Sequence, residues 1–449
     1  MALTGIQIYK LLPKTNCGEC GVPTCLAFAM NLAAGKAELA ACPYVTEESK
    51  AELADASAPP IRIVEIGAGE RKLKMGGETV LFRHEKTFVH PTGIAVLVTD
   101  EMAEDEVAGR LERFKTLEYE RVGLTLKADL VAVKSLSGDA GKFAALATKV
   151  KNQIDGGLIL MTEDAAVMEA GLKACGDCKP LMYAATKENA DAMSALAKEH
   201  GCALTVKGDG LDEVSELTTR LTADGLNDLV IDSGARAPRK VFEDQIFIRR
   251  AALLKKNKAL GFPTICLPCE MTDDFMKETL MASMCVAKYG GIVVLSDLQG
   301  HSLFPLLLAR MNIYTDPQRP MATSPGIYEI GGPTENSPVL VTSNFSLTYF
   351  IVSGEIETSR VPAWLIIVDT EGLSVLTAWA AGKFVGDVVG MAIKKCAIAE
   401  KITHKKVVIP GYAAAILGDL EEELGSDWEV LVGPRESAHI PAYLKEWKA

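Results

Sequence analysis

Positive charge in excess is missing from this chain. Lysine and arginine number 47 against 59 aspartates and glutamates, giving a formal charge of −12 and a pI near 5.2. That balance argues against nucleic acid or an anionic membrane surface as partner. Long apolar runs are missing too. None approaches the ~20 residues that span a bilayer, and the most apolar helix candidate, 373–393, carries Lys383 and Asp387. No basic-plus-apolar signal segment is readable at the start, where Lys10 and Lys14 interrupt the first apolar stretch, so the expected compartment is the cytoplasm. A complete dinucleotide fingerprint is also lacking. Gly67-Ala68-Gly69 follows a strand-like run, but no third glycine arrives on schedule and no helical pattern follows, which leaves a turn.

Cysteine is scarce, at eleven in 449 residues, yet Cys17, Cys20, Cys25 and Cys42 stand close together at the start. In a reducing cytosol such a cluster points to metal or redox chemistry before disulfides. Gly18 and Gly21 permit the backbone twists of a tight ligand loop. Pro23 stops that loop from continuing as a helix, and Thr24 is placed to cap a helix from Cys25 to about Ala34. Four thiolates suit zinc or an iron–sulfur cluster. Structural zinc usually takes two paired knuckles, whereas Cys42 has no near partner. One Cys-x2-Cys knuckle with a third cysteine five residues on is closer to ferredoxin-style ligation, and a [4Fe–4S] cluster is the expectation. The pairs Cys175/Cys178 and Cys266/Cys269, and the isolated Cys202, Cys285 and Cys396, read as small buried apolar residues.

Residues 55–62 (DASAPPIR) read as a linker. IRIVEIGAG, ETVLFRH and TFVHP follow as three short extended runs, expected to form a small antiparallel sheet. From residue 93 apolar strand-like runs recur at 94–100, 130–135, 158–162, 181–186, 203–208, 229–233, 264–268 and 292–297, with helix-period stretches between them. Eight β units, each followed by a helix, predict a (β/α)8 TIM-type barrel rather than an open sheet. Asp100, Lys134, Lys207, Asp232 and Asp297 fall near strand ends but form no acid–base or metal pattern; Asp232 and Asp297 read as caps or loop-ordering carboxylates, and the barrel as a scaffold.

After TDPQRP (315–320) a second alternation begins, with strands at 338–344, 364–372, 405–412 and 428–434. Helices follow from SLTYFIVSGEIE, from SVLTAWAAGKFVGDVVGMAIKK as one long helix, from AAAILGDLEEELG and from near Ser437. Strands this apolar are covered on both faces, so a parallel, doubly wound (Rossmann-like) domain is expected, its ligand at the strand carboxyl ends. Those ends carry Thr342-Ser343-Asn344, Asp369-Thr370-Glu371-Gly372, Pro410-Gly411-Tyr412 and Gly433-Pro434. A low rim of hydroxyls and glycines, without lysine or a P-loop, suits a large flat ligand with amide side chains better than a phosphate. The fold class is thus α/β and multidomain: a cluster domain over 1–57, a linker and small β-sheet over 58–92, the barrel over 93–318 and the ligand-binding α/β domain over 325–449.

NCGECGVPTCLAFA with a fourth cysteine at 42, then a barrel, then a small α/β domain, resembles over the whole chain the large (γ) subunit of the corrinoid iron–sulfur protein of the reductive acetyl-CoA pathway. The resemblance implies a [4Fe–4S] cluster on Cys17, Cys20, Cys25 and Cys42, and a cobamide in the carboxy-terminal domain. It implies methyl carriage: Co(I) takes methyl from methyltetrahydrofolate through a separate methyltransferase, and methyl-Co(III) passes it to acetyl-CoA synthase. A smaller barrel subunit in a heterodimer and a reductive activator are the other implied partners. Corrinoid proteins often supply an axial histidine from a D-x-H-x-x-G loop. His84, His90, His200, His301, His404 and His439 lie outside any such motif, so the cobamide is expected base-off, without a protein ligand. Lacking an axial nitrogen, Co(II)/Co(I) moves toward potentials a low-potential cluster reaches, and ~60 mV is about 1.4 kcal/mol for one electron. The cluster would then return oxidised Co(II) to Co(I). Edge geometry together with this likeness selects Thr342, Ser346, Thr348, Thr370, Glu371, Gly372, Leu373 and Gly433 as corrin contacts. Trp379 reads as a core residue. The rival readings are a pterin-dependent methyltransferase with a catalytic barrel, and an iron–sulfur redox module without corrinoid.

Overall fold

In a computed structural model the chain divides into two compact units, one of residues 1–81, 89–117 and 128–310, the other of 82–88, 118–127 and 311–449. The structure describes residues 5–33, 37, 39–46, 49, 59–121, 124–316, 318 and 320–449. The expected boundary at 57/58 and the first half of the 55–62 linker lie outside the described residues, as does Ala34.

In the first unit, helix Gly5–Leu11 packs on helix Cys25–Ala33 through Ile8, Leu12, Phe28 and Ala29. Strands β1 (Val64–Ile66) and β2 (Leu73–Met75) pair antiparallel. The other two expected members of that small sheet, ETVLFRH and TFVHP, are not strands. Glu78 is instead drawn inward, accepting from Val89 N–H at 2.9 Å and from Arg249 at 3.2 Å, and Arg249 also donates to the Val80 carbonyl. A buried ion pair thus replaces a strand ladder.

Strand β3 (Gly93–Thr99) opens the barrel. A hairpin, β4 (Tyr119–Arg121) and β5 (Leu124–Leu126), belongs to the second unit. The barrel continues with β6 (Leu130–Lys134), β7 (Gly157–Met161), β8 (Leu181–Ala185), β9 (Leu204–Lys207), β10 (Leu229–Asp232), β11 (Ile265–Cys266) and β12 (Ile292–Leu295). Each pairs parallel with its sequence neighbour and β12 returns to β3. Between β10 and β11 the ring is nearly closed, by one bridge from Ile231 to Thr264. All eight runs expected as barrel strands are barrel strands. Nearly all their residues are buried because helices cover the outside while Ala95, Leu130, Ile159, Leu181, Val230 and Val294 fill the inside. Asp139, Asp164 and Asp274 cap three of the helices by accepting first-turn N–H groups. Val64, Ile66 and Met75 join the same core, so β1 and β2 plug the end where the strands begin.

The second unit is built on a five-stranded sheet in the order β13-β15-β14-β16-β17, formed by β13 (Gly326–Ile330), β14 (Val339–Ser343), β15 (Ala363–Val368), β16 (Lys406–Ile409) and β17 (Glu429–Val432). The four expected strands are parallel; β13, which the sequence pattern did not reveal, pairs antiparallel on the edge. Apolar cores on both faces make the strands continuous hydrophobic runs. The expected long helix is two, Val375–Ala380 and Gly386–Lys395, because Gly382 takes φ +71 and ends the first. Two segments inserted in the barrel chain serve this unit. Arg83 donates to the carbonyls of Ile313 and Thr315, and the Arg121 guanidinium stacks 3.8 Å above the Phe350 ring. Among the described residues no helix of either unit is long and apolar enough to cross a membrane.

Candidate functional site

The parallel strands of the five-stranded sheet change direction of progression between β14 and β16. A crevice must open at such a switch point, outside the strand carboxyl ends. There the structure has a pocket of about 300 Å3. Three of the expected contacts, Thr342, Thr348 and Gly433, line it, together with Pro410 and Tyr412. Helix Ser346–Ser359 adds Ile351 and Val352, which follow Thr348 at helical spacing. That i, i+3, i+4 face was the available signal for these two residues. Arg435, Glu436 and Ser437 also line the pocket; they follow the last strand, and no local pattern marked them.

The remaining expected contacts sit beside the pocket and do not line it. Asn344 Oδ1 accepts from Thr370 N–H at 3.0 Å, Thr370 Oγ1 at 2.7 Å and Gly372 N–H at 2.9 Å, while its amide donates to Asp369. This fixes the turn Thr370–Leu373 that leads into the pocket-lining Ser374, Val375 and Leu376. Glu371 (φ +55) is exposed and ion-paired with Lys383, and Gly372 takes φ +77 against Pro320. Ser346 is buried at the start of its helix. Trp379 is not in the core: it is 45% exposed, and Phe384 fills the interior instead.

At the head of the chain three of the four cysteines belong to one small core. Cys25 and Cys42 are buried among Ile8, Phe28 and Val45, Cys20 packs at the edge of that cluster, and Cys17 is exposed. Positive φ angles at Asn16, Gly18 and Gly21 wind the loop. Asn16 Oδ1 accepts Cys25 N–H at 2.8 Å, Asn16 N–H donates to Cys25 Sγ at 3.4 Å, and Thr24 Oγ1 caps the helix through Ala27 N–H. No three of the described His, Cys, Asp and Glu side chains converge closely enough to ligate one ion. A four-iron cluster distributes its thiolates over separate irons, and a winding loop, one thiol that starts a helix and one returning from residue 42 match that donor set.

Comparison with known proteins bears on both sites. A family described as CO dehydrogenase/acetyl-CoA synthase delta subunit matches residues 63–444, and one described as a putative Fe-S cluster matches residues 12–44. The corrinoid/iron-sulfur protein large subunit of Moorella thermoacetica is 45% identical over 445 residues, 99% of each chain. The acetyl-CoA decarbonylase/synthase complex subunit gamma of Methanopyrus kandleri is 38% identical over 455 residues, 99% of this chain and 98% of that one. The chain belongs to the family of corrinoid iron–sulfur protein large (gamma) subunits. A solved dihydropteroate synthase from Vibrio fischeri, 12% identical with a TM-score of 0.38 over 52% of this chain and 99% of that one, is too distant to carry an argument.

Within this large-subunit chain two histidines follow the barrel, His404 and His439. His404 lies where β14 and β16 begin, the edge opposite the pocket. Its Nε2 is 3.0 Å from the Ser337 carbonyl and its Nδ1 accepts Lys406 N–H at 3.0 Å. His439 is exposed beside Ser437 and does not line the pocket. The barrel mouth is self-paired. Tyr183 donates to Asp232 at 2.7 Å, Arg236 bonds Asp232, Tyr183 and Glu270, and Lys134 donates to Glu270 at 2.6 Å. Lys207 pairs with Glu163 and Asp297 with Arg113. Burial alone would raise the Asp100 carboxyl, but bonds from Leu136, Ser137 and Ser135 hold it below its ordinary value. Burial pushes Cys175 and Cys269 up to about 12 and Cys202 to about 11, as inert structural thiols require.

Proposed function

We propose that this chain is a methyl carrier: its second unit holds a base-off cobamide in the switch-point pocket, and its head holds a [4Fe–4S] cluster on Cys17, Cys20, Cys25 and Cys42. When bound, the cobamide would supply a cobalt centre that takes up and gives away a methyl group, and the cluster would supply low-potential electrons that keep it active. The observation that carries the reading is the pocket itself, open at the strand carboxyl ends and lined by apolar side chains with Thr342, Thr348, Ser374 and Gly433 among them and Arg435 and Glu436 on its last loop, in a chain of this family.

The residues divide the work as follows. Ile351, Val352 and Leu376 offer apolar surface to a large flat ring, while Thr342 and Thr348 offer hydroxyls to its polar arms. Gly411 and Gly433 keep the rim low, since a Cβ on Gly411 would lie 2.6 Å from the Gly433 carbonyl oxygen. The turn tied by Asn344 holds Thr370, Glu371, Gly372 and Leu373 beside that rim. His404 contributes nothing there, which favours the base-off state. The partners we infer are a smaller barrel subunit, a methyltetrahydrofolate methyltransferase, acetyl-CoA synthase and a reductive activator, in the cytoplasm. The self-paired barrel mouth supports a scaffold rather than a pterin-dependent catalytic barrel.

The test is metal analysis with anaerobic spectroscopy on the intact chain. About one cobalt and about four irons per chain are expected, with no imidazole nitrogen coupled to cobalt in the EPR spectrum. Cys25→Ser and Cys42→Ser should abolish the iron and the reductive recovery of inactive cobalt while leaving cobalt bound. An imidazole on the cobalt, or undiminished recovery without the thiols, sinks the proposal.

A further inference from the structure

Asn16 stands immediately before Cys17, yet the thiol it engages is Cys25, nine residues on. It does so twice. Its side-chain Oδ1 accepts Cys25 N–H at 2.8 Å, and its own backbone N–H donates to Cys25 Sγ at 3.4 Å. The second bond depends on backbone shape, for Asn16 has φ +50, in the left-handed region. Asparagine enters that region more readily than most residues that carry a side chain. Among the described residues no other hydrogen bond brings an N–H to Cys17, Cys20, Cys25 or Cys42. The bond at Cys20 runs the other way, from its thiol to the Val22 carbonyl.

The two bonds do different things. The side-chain bond occupies the first N–H of helix Cys25–Ala33, while Thr24 Oγ1 takes Ala27 N–H at 3.1 Å. Together they fix the start of the helix and satisfy donors that would otherwise be orphaned. The backbone bond adds little to that, because the sulfur of a neutral thiol is a weak acceptor. It gains strength when the sulfur carries charge, as a cluster ligand does. An electron taken up makes the ligand sulfurs more negative and such a bond stronger, so an N–H aimed at one of them favours the reduced state. Cys25 is buried and Cys17 exposed. The donor is thus supplied on the side where water cannot offer an equivalent bond.

We infer that Asn16 is a positioning residue of the cluster site: its left-handed backbone presents an N–H to Cys25 Sγ and thereby raises the reduction potential of the cluster. The inference rests on the [4Fe–4S] reading above. The side chain serves the same end by tying Cys25 in front of that donor. One hydrogen bond of this kind shifts the equilibrium for electron uptake about three- to tenfold, or about 30–60 mV for one electron.

Redox titration of the full-length chain with its cluster in place, followed by EPR, tests this with two variants. Asn16→Leu removes the side-chain acceptor and disfavours the left-handed backbone, so the N–H turns away from the sulfur. Its potential should fall by about 30–60 mV at unchanged iron content. Asn16→Gly removes the same side chain but enters the left-handed region freely, keeps the N–H in place and should titrate with wild type. Directly, a wild-type chain whose asparagine nitrogens are isotopically labelled should show one nitrogen magnetically coupled to the reduced cluster, absent from Asn16→Gly made with unlabelled glycine. Should Asn16→Leu fail to hold iron, the labelled wild type and Asn16→Gly decide alone. An unshifted potential in Asn16→Leu, a fall in potential or loss of iron in Asn16→Gly, or no coupled nitrogen in wild type means that Asn16 only shapes the loop, and overturns the inference. A wild type that shows no iron–sulfur signal at all overturns the cluster reading itself.

Discussion

At the barrel mouth Lys134, Arg236, Glu270, Asp232 and Tyr183 bond one another, whereas at the edge of the five-stranded sheet Thr323, Ser343 and Ser346 bond nothing through their hydroxyls. Both places are the carboxyl ends of parallel strands, where the fold permits a site. Charge separates them. The mouth holds strong ions that would be costly to leave unpaired, so they saturate each other and no free acid, base or nucleophile remains among them. The unpaired groups of the sheet edge are neutral hydroxyls, which cost less to leave without a partner than the ions of the mouth would. Fold alone therefore does not locate function; under the reading proposed above, the sheet edge does.

The most damaging single change should be Asn344→Ala. It strips the common acceptor from Thr370 N–H, Thr370 Oγ1 and Gly372 N–H, all buried. Orphaned backbone donors cost about 1–3 kcal/mol each, so a loss of about 2–4 kcal/mol in stability is expected, with cobalt content reduced at least about tenfold. Denaturant unfolding and cobalt analysis of the purified chain check both. Full cobalt in a destabilised variant would show that the Thr370 turn holds the fold but not the ligand, and would blur the contrast between the two edges.

Asp232→Asn probes the opposite side of the comparison. It keeps the shape but removes the charge that faces Arg236 and Tyr183. A stability loss of about 1–3 kcal/mol is expected, with methyl carriage unchanged. A specific loss of carriage at intact stability would restore the catalytic barrel. The mouth should also be acid-sensitive. Burial alone would raise the Glu270 carboxyl, but hydrogen bonds from Lys134 and Arg236 outweigh it and hold the group below its ordinary value. A depressed folded value means that the stabilisation is complete above the unfolded carboxylate range and is lost as pH falls through the lower, folded one. Thermal midpoints should decline more steeply in acid for wild type than for Glu270→Gln.

How much of this was legible before the structure follows from the range of each interaction. The barrel strands were legible because burial on both faces turns each into an unbroken apolar run. The pocket edge was legible because those runs end in hydroxyls and glycines at one rim, and Thr342, Thr348 and Gly433 stand there. The break at Gly382 was not, since apolar spacing continues across it and only the backbone angle changes. Strand β13 was missed because an edge strand with a half-exposed face (Gly326, Ile327, Tyr328) lacks that continuous run. The mouth network and Thr323 were beyond reach for a different reason. Glu270 meets Lys134 across 136 residues, and Thr323 meets Asn344 through a backbone hydrogen bond, which leaves no trace in residue type.

The smallest effect expected is at Trp379, and it sharpens the comparison most cheaply. A core tryptophan cut to alanine costs about 3–5 kcal/mol. Trp379 is 45% exposed, on the short helix Val375–Ala380 whose first two residues, Val375 and Leu376, line the pocket. Trp379→Ala should therefore cost no more than about 1 kcal/mol in denaturant unfolding. Large apolar side chains left in water beside a pocket mark surfaces that meet a partner or ligand, so the change should lower methyl delivery more than stability. If instead the unfolding midpoint falls as far as for Asn344→Ala while delivery is untouched, the apolar rim belongs to the core after all, and the sheet edge loses its distinction from the barrel mouth.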